Sequence, residues 1–519
     1  MYKFLTEHLP DLVLQNILKD LTRTAKVDLS EVSPEGFGSY IFSIYGYSAL
    51  ADREFRRVLI YNTWDTLPQA VRDMSEQSGI SKPYDRALYL SGLAWTRKAK
   101  LLQALSDHFD IESVYLPGIS DPEPTREIIS SNRSIPILFP YQSEVIDLAS
   151  KFVREQRPAL VCLPTGSGKT RVAAELAVEN LAENSSKMAV LWVSLTDEVC
   201  RATFDTVEAL WMDKGVRPIQ FCRYWGPHML DSADFRDSII FTTFGKVTSP
   251  RGEILIQKVL TNISLVIVDE AHRSNAATYR NFIATVVAAR IPALGFTATP
   301  GRWESDIEEN YGLASLFSNN LIEPPSLLPN PVERLREMGV LSLIEYVIIS
   351  GSLHGTGGEK AQLRVLEKIS ERNEKILSCA RTECKEGPTL VFCCSVDHGR
   401  FLSAKLNLRG IPSACVHSDL TRNARREIMA AFKSGSITVL FNFGILSTGL
   451  DIPKLHCIIV ARPTDSYVLY SQMVGRALRG PAVGGTPVSK VIEFQDGPNR
   501  ARSVSDIHEH FRSFWGQSQ

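Results

Sequence analysis

The chain has 519 residues, of which 44% are hydrophobic and 22% are charged, and its formal net charge is −1. This length exceeds what a single hydrophobic core supports and predicts about three or four domains. The balanced charge excludes a protein that coats nucleic acid through its overall charge, so any polyanion must bind in a local groove.

Residues 1–130 are predicted to form a small, mostly helical accessory domain, because apolar residues recur there at helical spacing. The start of the chain lacks the basic residues and apolar block of a signal peptide. No apolar run approaches the ~18 residues of a membrane-spanning helix. Nine scattered cysteines without a C-x-x-C pair argue against a disulfide framework or a zinc site. We therefore expect a cytoplasmic protein that does not enter a membrane.

The accessory domain carries basic clusters whose role the sequence leaves open. They are Arg53, Arg56 and Arg57, and then Arg97, Lys98 and Lys100. One interpretation is a solvated helix face, which is the usual role of a run of charges. The other is a docking surface for DNA or for a partner, such as a nuclease or effector subunit.

From residue 131 onward, short apolar strands alternate with helices, which is typical of parallel sheets covered by helices on both faces. Strands are predicted at 159–163, 189–193, 238–242 and 265–268, and again at 389–393, 413–416, 438–441 and 457–460. The predicted fold class is α/β, with two parallel-sheet lobes at 131–322 and 361–500. A linker at 323–360 would join the lobes, and a C-terminal helix would occupy 501–519.

The strand at 159–163 leads into a glycine-rich turn, Thr165-Gly166-Ser167-Gly168, and then into a helix that begins with Lys169 and Thr170. Backbone N–H groups from Gly166 to Lys169 can cradle a phosphate at the helix N-terminus. Lys169 would hold the β- and γ-phosphates, and the hydroxyl of Thr170 would bind Mg²⁺. Although Leu163 replaces the first glycine of the strict pattern, the loop predicts ATP and Mg²⁺ as cofactors.

Two carboxylates follow the apolar run at 265–268, namely Asp269 and Glu270. They are predicted to lie at the carboxyl edge of the sheet, where open α/β folds bind ligands. Asp269 would hold the metal, and Glu270 would orient and deprotonate the attacking water. An acidic helix N-terminus is the alternative interpretation, which the phosphate loop upstream makes weak.

The second lobe is predicted to contribute cations to the same reaction. Arg476 and Arg479 lie three residues apart on a predicted helix, so they would point the same way. Planar guanidinium groups suit the charge that develops on a transferring phosphoryl group. A salt-bridged surface helix is the alternative, but the preceding Gln472 and Gly475 favour catalysis. ATP would then bind between two lobes that close on it.

In this order, the motifs resemble those of the superfamily 2 helicases and translocases, the DEAD/DEAH group with two RecA-like lobes, over about residues 135–494. The resemblance implies that Gln142, in Phe139-Pro140-Tyr141-Gln142, reads adenine. It implies that Thr297 and Thr299 couple hydrolysis to strand movement, and that Gly449 and Asp451 contact the nucleotide. It also suggests nucleic-acid backbone contacts by short hydroxyl residues near sheet edges, which are Ser194, Thr243, Ser395 and Thr448.

Three segments refine the resemblance, namely Thr299-Pro300-Gly301-Arg302, the stretch from Thr421 to Gly435, and Gly475-Arg476-Ala477-Leu478-Arg479. They look more like RadD-type repair helicases, excision-repair helicases and the motor subunits of restriction enzymes than like RNA-remodelling helicases. This favours DNA over RNA and predicts an ATP-dependent motor in DNA repair or antiviral defence. The alternative is an ATP-gated clamp on nucleic acid that recruits a separate nuclease or effector through residues 1–130.

Overall fold

The computed structural model describes residues 53–76, 80–93, 104, 107–108, 125–129, 137–183, 188–273, 277–301, 307–351, 359–417, 420, 422–444, 454–464, 467–475 and 479–496. Several predictions lie outside these residues. They are the basic cluster at 97–100, the C-terminal helix at 501–519, and the site residues Thr448, Gly449, Asp451 and Arg476.

The strands in chain order are β1 (Arg126–Ile129), β2 (Ala159–Cys162), β3 (Ala189–Ser194), β4 (Ile219–Tyr224), β5 (Ser238–Thr243), β6 (Ile263–Asp269), β7 (Ala293–Thr297), β8 (Leu321–Ile322), β9 (Leu343–Ser350), β10 (Thr389–Phe392), β11 (Ser413–Val416), β12 (Val439–Asn442), β13 (Cys457–Val460) and β14 (Val488–Gln495). The α-helices are α1 (Arg53–Asn62), α2 (Gln69–Glu76), α3 (Pro83–Gly92), α4 (Pro140–Arg154), α5 (Lys169–Glu183), α6 (Asp197–Lys214), α7 (Phe244–Val247), α8 (Pro250–Val259), α9 (Ala277–Ala288), α10 (Ile307–Leu316), α11 (Pro331–Glu337), α12 (Glu359–Leu366), α13 (Ser370–Glu383), α14 (Val396–Leu408), α15 (Arg422–Ser434) and α16 (Tyr467–Val474). Short 3-10 turns occur at Trp64–Thr66, Ser232–Asp234, Leu260–Asn262, Ala271–Arg273, Pro325–Leu327 and Pro481–Val483.

The first lobe is built on an eight-stranded sheet in the order β1-β4-β5-β3-β6-β7-β2-β8. Its strands are parallel except β1, which pairs antiparallel with β4. Alternate residues of β6 enter two different apolar clusters, since Leu265 and Ile267 belong to one and Val266 and Val268 to the other. Both faces of the sheet are therefore covered, as a parallel sheet requires.

The second lobe is a six-stranded, all-parallel sheet in the order β11-β12-β10-β13-β14-β9. Its strand β13 alternates in the same way, with Ile458 in one apolar cluster and Ile459 in the other. The predicted α/β class with two parallel-sheet lobes is confirmed. The strands predicted from apolar runs match β2, β3, β5, β6, β10, β11, β12 and β13.

Two strands lie outside the predicted lobe boundaries. β9 falls in the segment predicted as a linker, yet it pairs with β14 along its whole length. β1 falls in the predicted accessory domain, yet it is the outermost strand of the first sheet. The guanidinium of Arg126 in β1 binds both carboxylate oxygens of the buried Asp234. The two sheets therefore recruit strands from both flanking segments.

The described part of the N-terminal region contains α1, α2 and α3, in agreement with a helical domain. Arg56, one of the basic residues of α1, is buried and donates hydrogen bonds from Nε and Nη2 to the backbone carbonyl of Ser91, at 3.2 and 2.8 Å. Arg56 therefore joins α1 to α3 and is not part of a basic surface. Among the helices in the described part of the chain, none is long and apolar enough to span a membrane.

Candidate ATP site between the lobes

The predicted ATP-site residues of the first lobe gather at one edge of its sheet. The glycine-rich loop follows the carboxyl end of β2, and Asp269 is the last residue of β6. β7 lies between these two strands and ends at Thr297. Because parallel strands end at a common edge, the loop, the carboxylates and the threonine segment share one side of the lobe.

The loop has the backbone shape of a phosphate cradle. Gly166 and Gly168 have φ angles of 86° and 88°, a region in which a Cβ is strained. The ammonium of Lys169 folds back on the loop, donating to the carbonyls of Leu163 at 3.2 Å and Pro164 at 3.4 Å. The loop thus holds its lysine close to the backbone that would surround a phosphate.

Gln142 connects α4 to this loop. Its Oε1 accepts a hydrogen bond from the backbone N–H of Phe139 at 3.0 Å, and its Nε2 donates to the carbonyl of Ser167 at 3.0 Å. The hydroxyl of Tyr141, for which the sequence pattern indicates no role, donates to the same carbonyl of Ser167 at 2.6 Å. A Cβ on Gly168 would stand 2.4 Å from Nε2 of Gln142, so the glycine permits this contact. Adenine recognition by Gln142 stays a prediction.

The two carboxylates occupy a sharp bend after β6. The backbone N–H of Glu270 donates to Oδ1 of Asp269 at 3.0 Å, and Glu270 has a φ of 52°. A left-handed conformation in a residue other than glycine costs about 1–3 kcal/mol, and such strain clusters at functional sites. Oε2 of Glu270 lies 3.4 Å from Nδ1 of His272. The bend therefore fixes the direction of the carboxylate that is predicted to activate water.

His272 links these carboxylates to the threonine segment. Its Nδ1 lies 3.0 Å from Oγ1 of Thr297. That hydroxyl donates to the carbonyl of Thr299 at 2.7 Å and accepts from the N–H of Thr299 at 3.1 Å. The only hydrogen of the Thr297 hydroxyl is donated to the carbonyl of Thr299. Nδ1 of His272 is therefore protonated and donates to the Thr297 hydroxyl. Sequence patterns alone assign no role to His272, and only the fold reveals this one.

The second lobe contacts the loop through the end of α16. A Cβ on Gly475 would stand 2.5 Å from Cγ2 of Thr165, so only glycine allows this approach. Gln472, one turn earlier, is 3% exposed, and neither atom of its amide has a hydrogen-bond partner within the described residues. Buried amides are normally satisfied, so this one is suited to a bound ligand. The structure brings the two lobes together at the predicted site.

The predicted helix carrying both arginines is wrong at its C-terminal end. α16 ends at Val474, and Arg479 instead forms an isolated antiparallel bridge with Leu341. The carbonyl of Arg479 accepts from the hydroxyl of Ser342 and from the N–H of Thr486. Backbone pairing with the inter-lobe segment overrides the helical spacing at Arg479, so Arg479 does not lie on a helix.

The predicted nucleic-acid contacts differ in how accessible they are. Ser194, at the end of β3, is fully buried, so its hydroxyl cannot contact a phosphate in this conformation. Thr243, at the end of β5, is partly exposed, and its side chain makes no capping bond to α7. The hydroxyl of Ser395 caps α14 and also donates to Glu367. Thr243 is therefore the open contact among these three.

An ion pair also crosses between the lobes. Arg425 in α15 binds the carboxylate of Glu198 in the first turn of α6. Burial alone would raise the pKa of the Glu198 carboxyl, but the charge and hydrogen bond of Arg425, with further hydrogen bonds, hold it below its usual value. The carboxylate therefore stays charged at neutral pH and can hold the lobes together.

Replacement of Arg425 with Glu is expected to lower ATP hydrolysis measured with nucleic acid by about fivefold to tenfold, because an attraction becomes a repulsion. Combining it with Glu198→Arg should restore most of the loss. A double-mutant cycle on the hydrolysis rate measures this coupling. Reversal of Arg409, which pairs with Glu374 inside the second lobe, is the control and should change little. Additive effects at Glu198 and Arg425 would show that the pair does not join the lobes.

Comparison with known proteins agrees with this arrangement. The family model for the type III restriction enzyme res subunit matches residues 136–302, and the model for the helicase conserved C-terminal domain matches 371–481. Together they span more than half of the chain. A putative ATP-dependent helicase, IRC3 of Saccharomyces cerevisiae, is 29% identical over 68% of this chain and 51% of its own length.

The ATP-dependent RNA helicase DBP3 of the same yeast is 24% identical over 67% of this chain and 62% of its own length. The chain thus spans between half and two thirds of these curated relatives. A crystal structure of the DUF1998 helicase MrfA bound to DNA superposes with a TM-score of 0.53 and 14% identity, over 75% of this chain and 56% of that one. That likeness concerns the fold.

Proposed function

Because the chain belongs to superfamily 2 of the ATP-dependent helicases, we propose that it is a nucleic-acid motor that hydrolyses ATP between its two lobes. The observation that carries this proposal is the contact of Gly475 with Thr165. Through it, the helix that bears Gln472 ends on the phosphate loop of the other lobe. Opening and closing of that contact would tie hydrolysis to movement of the lobes.

The first lobe supplies the nucleotide-binding half. Lys169 and the loop from Thr165 to Thr170 would hold the phosphates. Thr170 and Asp269 offer a hydroxyl and a carboxylate oxygen, which suit Mg²⁺ when substrate phosphates complete its shell. Bound there, Mg²⁺ would neutralise charge on the phosphates. Glu270 would orient a water molecule and accept its proton.

The second lobe supplies the groups that respond to closure. Gln472 would reach the nucleotide from the end of α16, and Arg476 and Arg479 would stabilise the charge on the transferring phosphoryl group. Thr297 and Thr299 would pass the state of the site to the strand, since His272 connects them to Glu270. Gly449 and Asp451 would complete the nucleotide contacts from the second lobe.

We propose DNA as the substrate in preference to RNA. The support is the motif style of residues 299–302 and 475–479, together with the match to a restriction-enzyme family model over residues 136–302. Thr243 and Thr448 would contact backbone phosphates, with Ser395 available after a rearrangement. A role in DNA repair or antiviral defence follows as part of the same proposal.

A second candidate is an ATP-gated clamp that recruits a nuclease or effector through residues 1–130. The observation that favours it is β1, which places the end of the segment 1–130 in the first sheet. A partner bound close to β1 would move with the lobe. In such a clamp, hydrolysis would time release and would not drive travel.

The test compares ATP hydrolysis by the full chain without nucleic acid and with single-stranded DNA, duplex DNA and RNA. A nucleic-acid motor should be stimulated, most strongly by DNA, and its binding should weaken with salt. Strand displacement would identify a helicase, and triplex displacement without unwinding would identify a translocase. Stimulation without either activity favours the clamp. No stimulation by any nucleic acid would contradict both proposals.

A further inference from the structure

The carboxylate of Glu367 accepts a hydrogen bond from the hydroxyl of Ser395, which is proposed to contact nucleic acid in the second lobe. Oγ of Ser395 donates to Oε2 of Glu367 at 2.5 Å. Oγ of Ser395 also accepts a hydrogen bond from the backbone N–H of His398 at 3.0 Å and so caps α14. Ser395 follows the carboxyl end of β10. The only hydroxyl hydrogen of Ser395 is therefore donated to the carboxylate of Glu367 and is not free to bind a phosphate.

A buried network holds Glu367 in this position. The backbone N–H of Cys394 donates to Nδ1 of His398 at 3.2 Å, so the proton of the neutral ring is on Nε2, which lies 3.0 Å from Oδ1 of Asn373. Nδ2 of Asn373 donates to the carbonyl of Glu367 at 2.9 Å. Burial lowers the pKa of His398 to about 3, so the ring is neutral at physiological pH. Both the main chain and the side chain of Glu367 are thus anchored beside β10.

The helix before Glu367 is attached weakly by comparison. α12 contributes Leu363 and Leu366 to a small apolar cluster with Cys394, against which Ile369 packs. This cluster is separate from the large cores of the lobe. Segments with few buried apolar contacts open at low free-energy cost. Movement of α12 away from β10 would therefore leave the large cores of the sheet intact.

We propose that α12 and the Glu367 that follows it form an autoinhibitory element, in which the Glu367 carboxylate occupies the place of a nucleic-acid phosphate at Ser395. This rests on the proposed nucleic-acid motor and adds a regulation to it. A phosphate and the carboxylate would compete for one hydroxyl hydrogen, and their like charges would repel each other. Nucleic acid must then displace Glu367 before it binds the second lobe. Until it is displaced, Glu367 lowers the affinity of the motor for nucleic acid.

The test is the affinity of the full chain for a fluorescent single-stranded DNA. Glu367→Gln keeps the size of the side chain and removes its charge, so affinity should rise about fivefold to tenfold. Glu374→Gln is the matched control, because Glu374 is an exposed carboxylate of the same lobe that pairs with Arg409. Its affinity should stay near that of the wild type. An unchanged or weaker affinity in Glu367→Gln would overturn the proposal.

Two further measurements separate displacement from a general charge effect. In a Ser395→Ala background, Glu367→Gln should no longer raise the affinity, and an equal gain there would contradict competition at Ser395. Amide hydrogen exchange of α12 should become faster when DNA is added to the wild type, and unchanged exchange would refute displacement. If the wild type neither binds nucleic acid nor responds to it in hydrolysis, the proposed motor fails. If it does both but Glu367→Gln has no effect, only the autoinhibition fails.

Discussion

Replacement of Glu270 with Gln is expected to lower ATP hydrolysis by about two to four orders of magnitude, which is the usual contribution of a general base. Gln keeps the length of the side chain and its place 3.4 Å from the ring of His272, but it cannot accept a proton from water. ATP should still bind, because the loop around Lys169 is untouched. Steady-state hydrolysis and binding of a fluorescent ATP analogue measure the two effects separately.

The control for this variant is Glu337→Gln. Glu337 is an exposed carboxylate at the end of α11 and pairs with Arg334 of the same helix. Hydrolysis by this variant should equal that of the wild type. Near-normal turnover in Glu270→Gln would remove Glu270 from the mechanism. Loss of analogue binding would mean that the strained bend after β6 also shapes the phosphate loop.

Replacement of Gly475 with Ala should separate the lobes. The added Cβ would stand 2.5 Å from Cγ2 and 2.6 Å from Cβ of Thr165, closer than carbon atoms can approach. The end of α16 must then move off the phosphate loop. Misplacing catalytic groups by about 1 Å can cost ~100-fold, so we expect hydrolysis in the presence of nucleic acid to fall by that order. The Kd of an ATP analogue for the first lobe should change by less than about threefold, which corresponds to ~0.7 kcal/mol of binding free energy.

Gly245→Ala is the matched control, because a Cβ at Gly245 would meet no atom within 4 Å. Its hydrolysis without nucleic acid should remain at the wild-type rate. The informative quantity for Gly475→Ala is kcat measured at saturating ATP and DNA. A wild-type kcat would show that the lobes hydrolyse ATP without this contact, and the two-lobe mechanism would lose its main support.

The sequence predicted best those elements whose chemistry is local. The strands before the phosphate loop and before Asp269 are continuous apolar runs, and they appear as β2 and β6. The glycine-rich turn predicted backbone freedom, and Gly166 and Gly168 use it. In these places one short segment decides both its own conformation and its position at the sheet edge.

The errors arise where distant segments decide the conformation. Arg479 lies at a helical spacing from Arg476, but the bridge to Leu341 draws its backbone out of any helix. Ser194 ends a strand as predicted, but the strands and helices around it leave it no exposure. β9 mixes exposed and half-buried residues, so only its pairing with β14 identifies it as a strand. Such pairings depend on residues far apart in the chain, which local patterns do not encode.

The antiparallel strand at the outer edge of the first sheet has a practical consequence for dividing this protein. A cut after residue 130 would remove Arg126–Ile129 and leave the carboxylate of Asp234 without its guanidinium partner. β4 would then become an unpaired edge strand, whose backbone N–H and C=O groups could pair with other chains. Any exchange of the N-terminal helices between related motors must therefore keep this strand with the first lobe. The chain should be divided before Thr125.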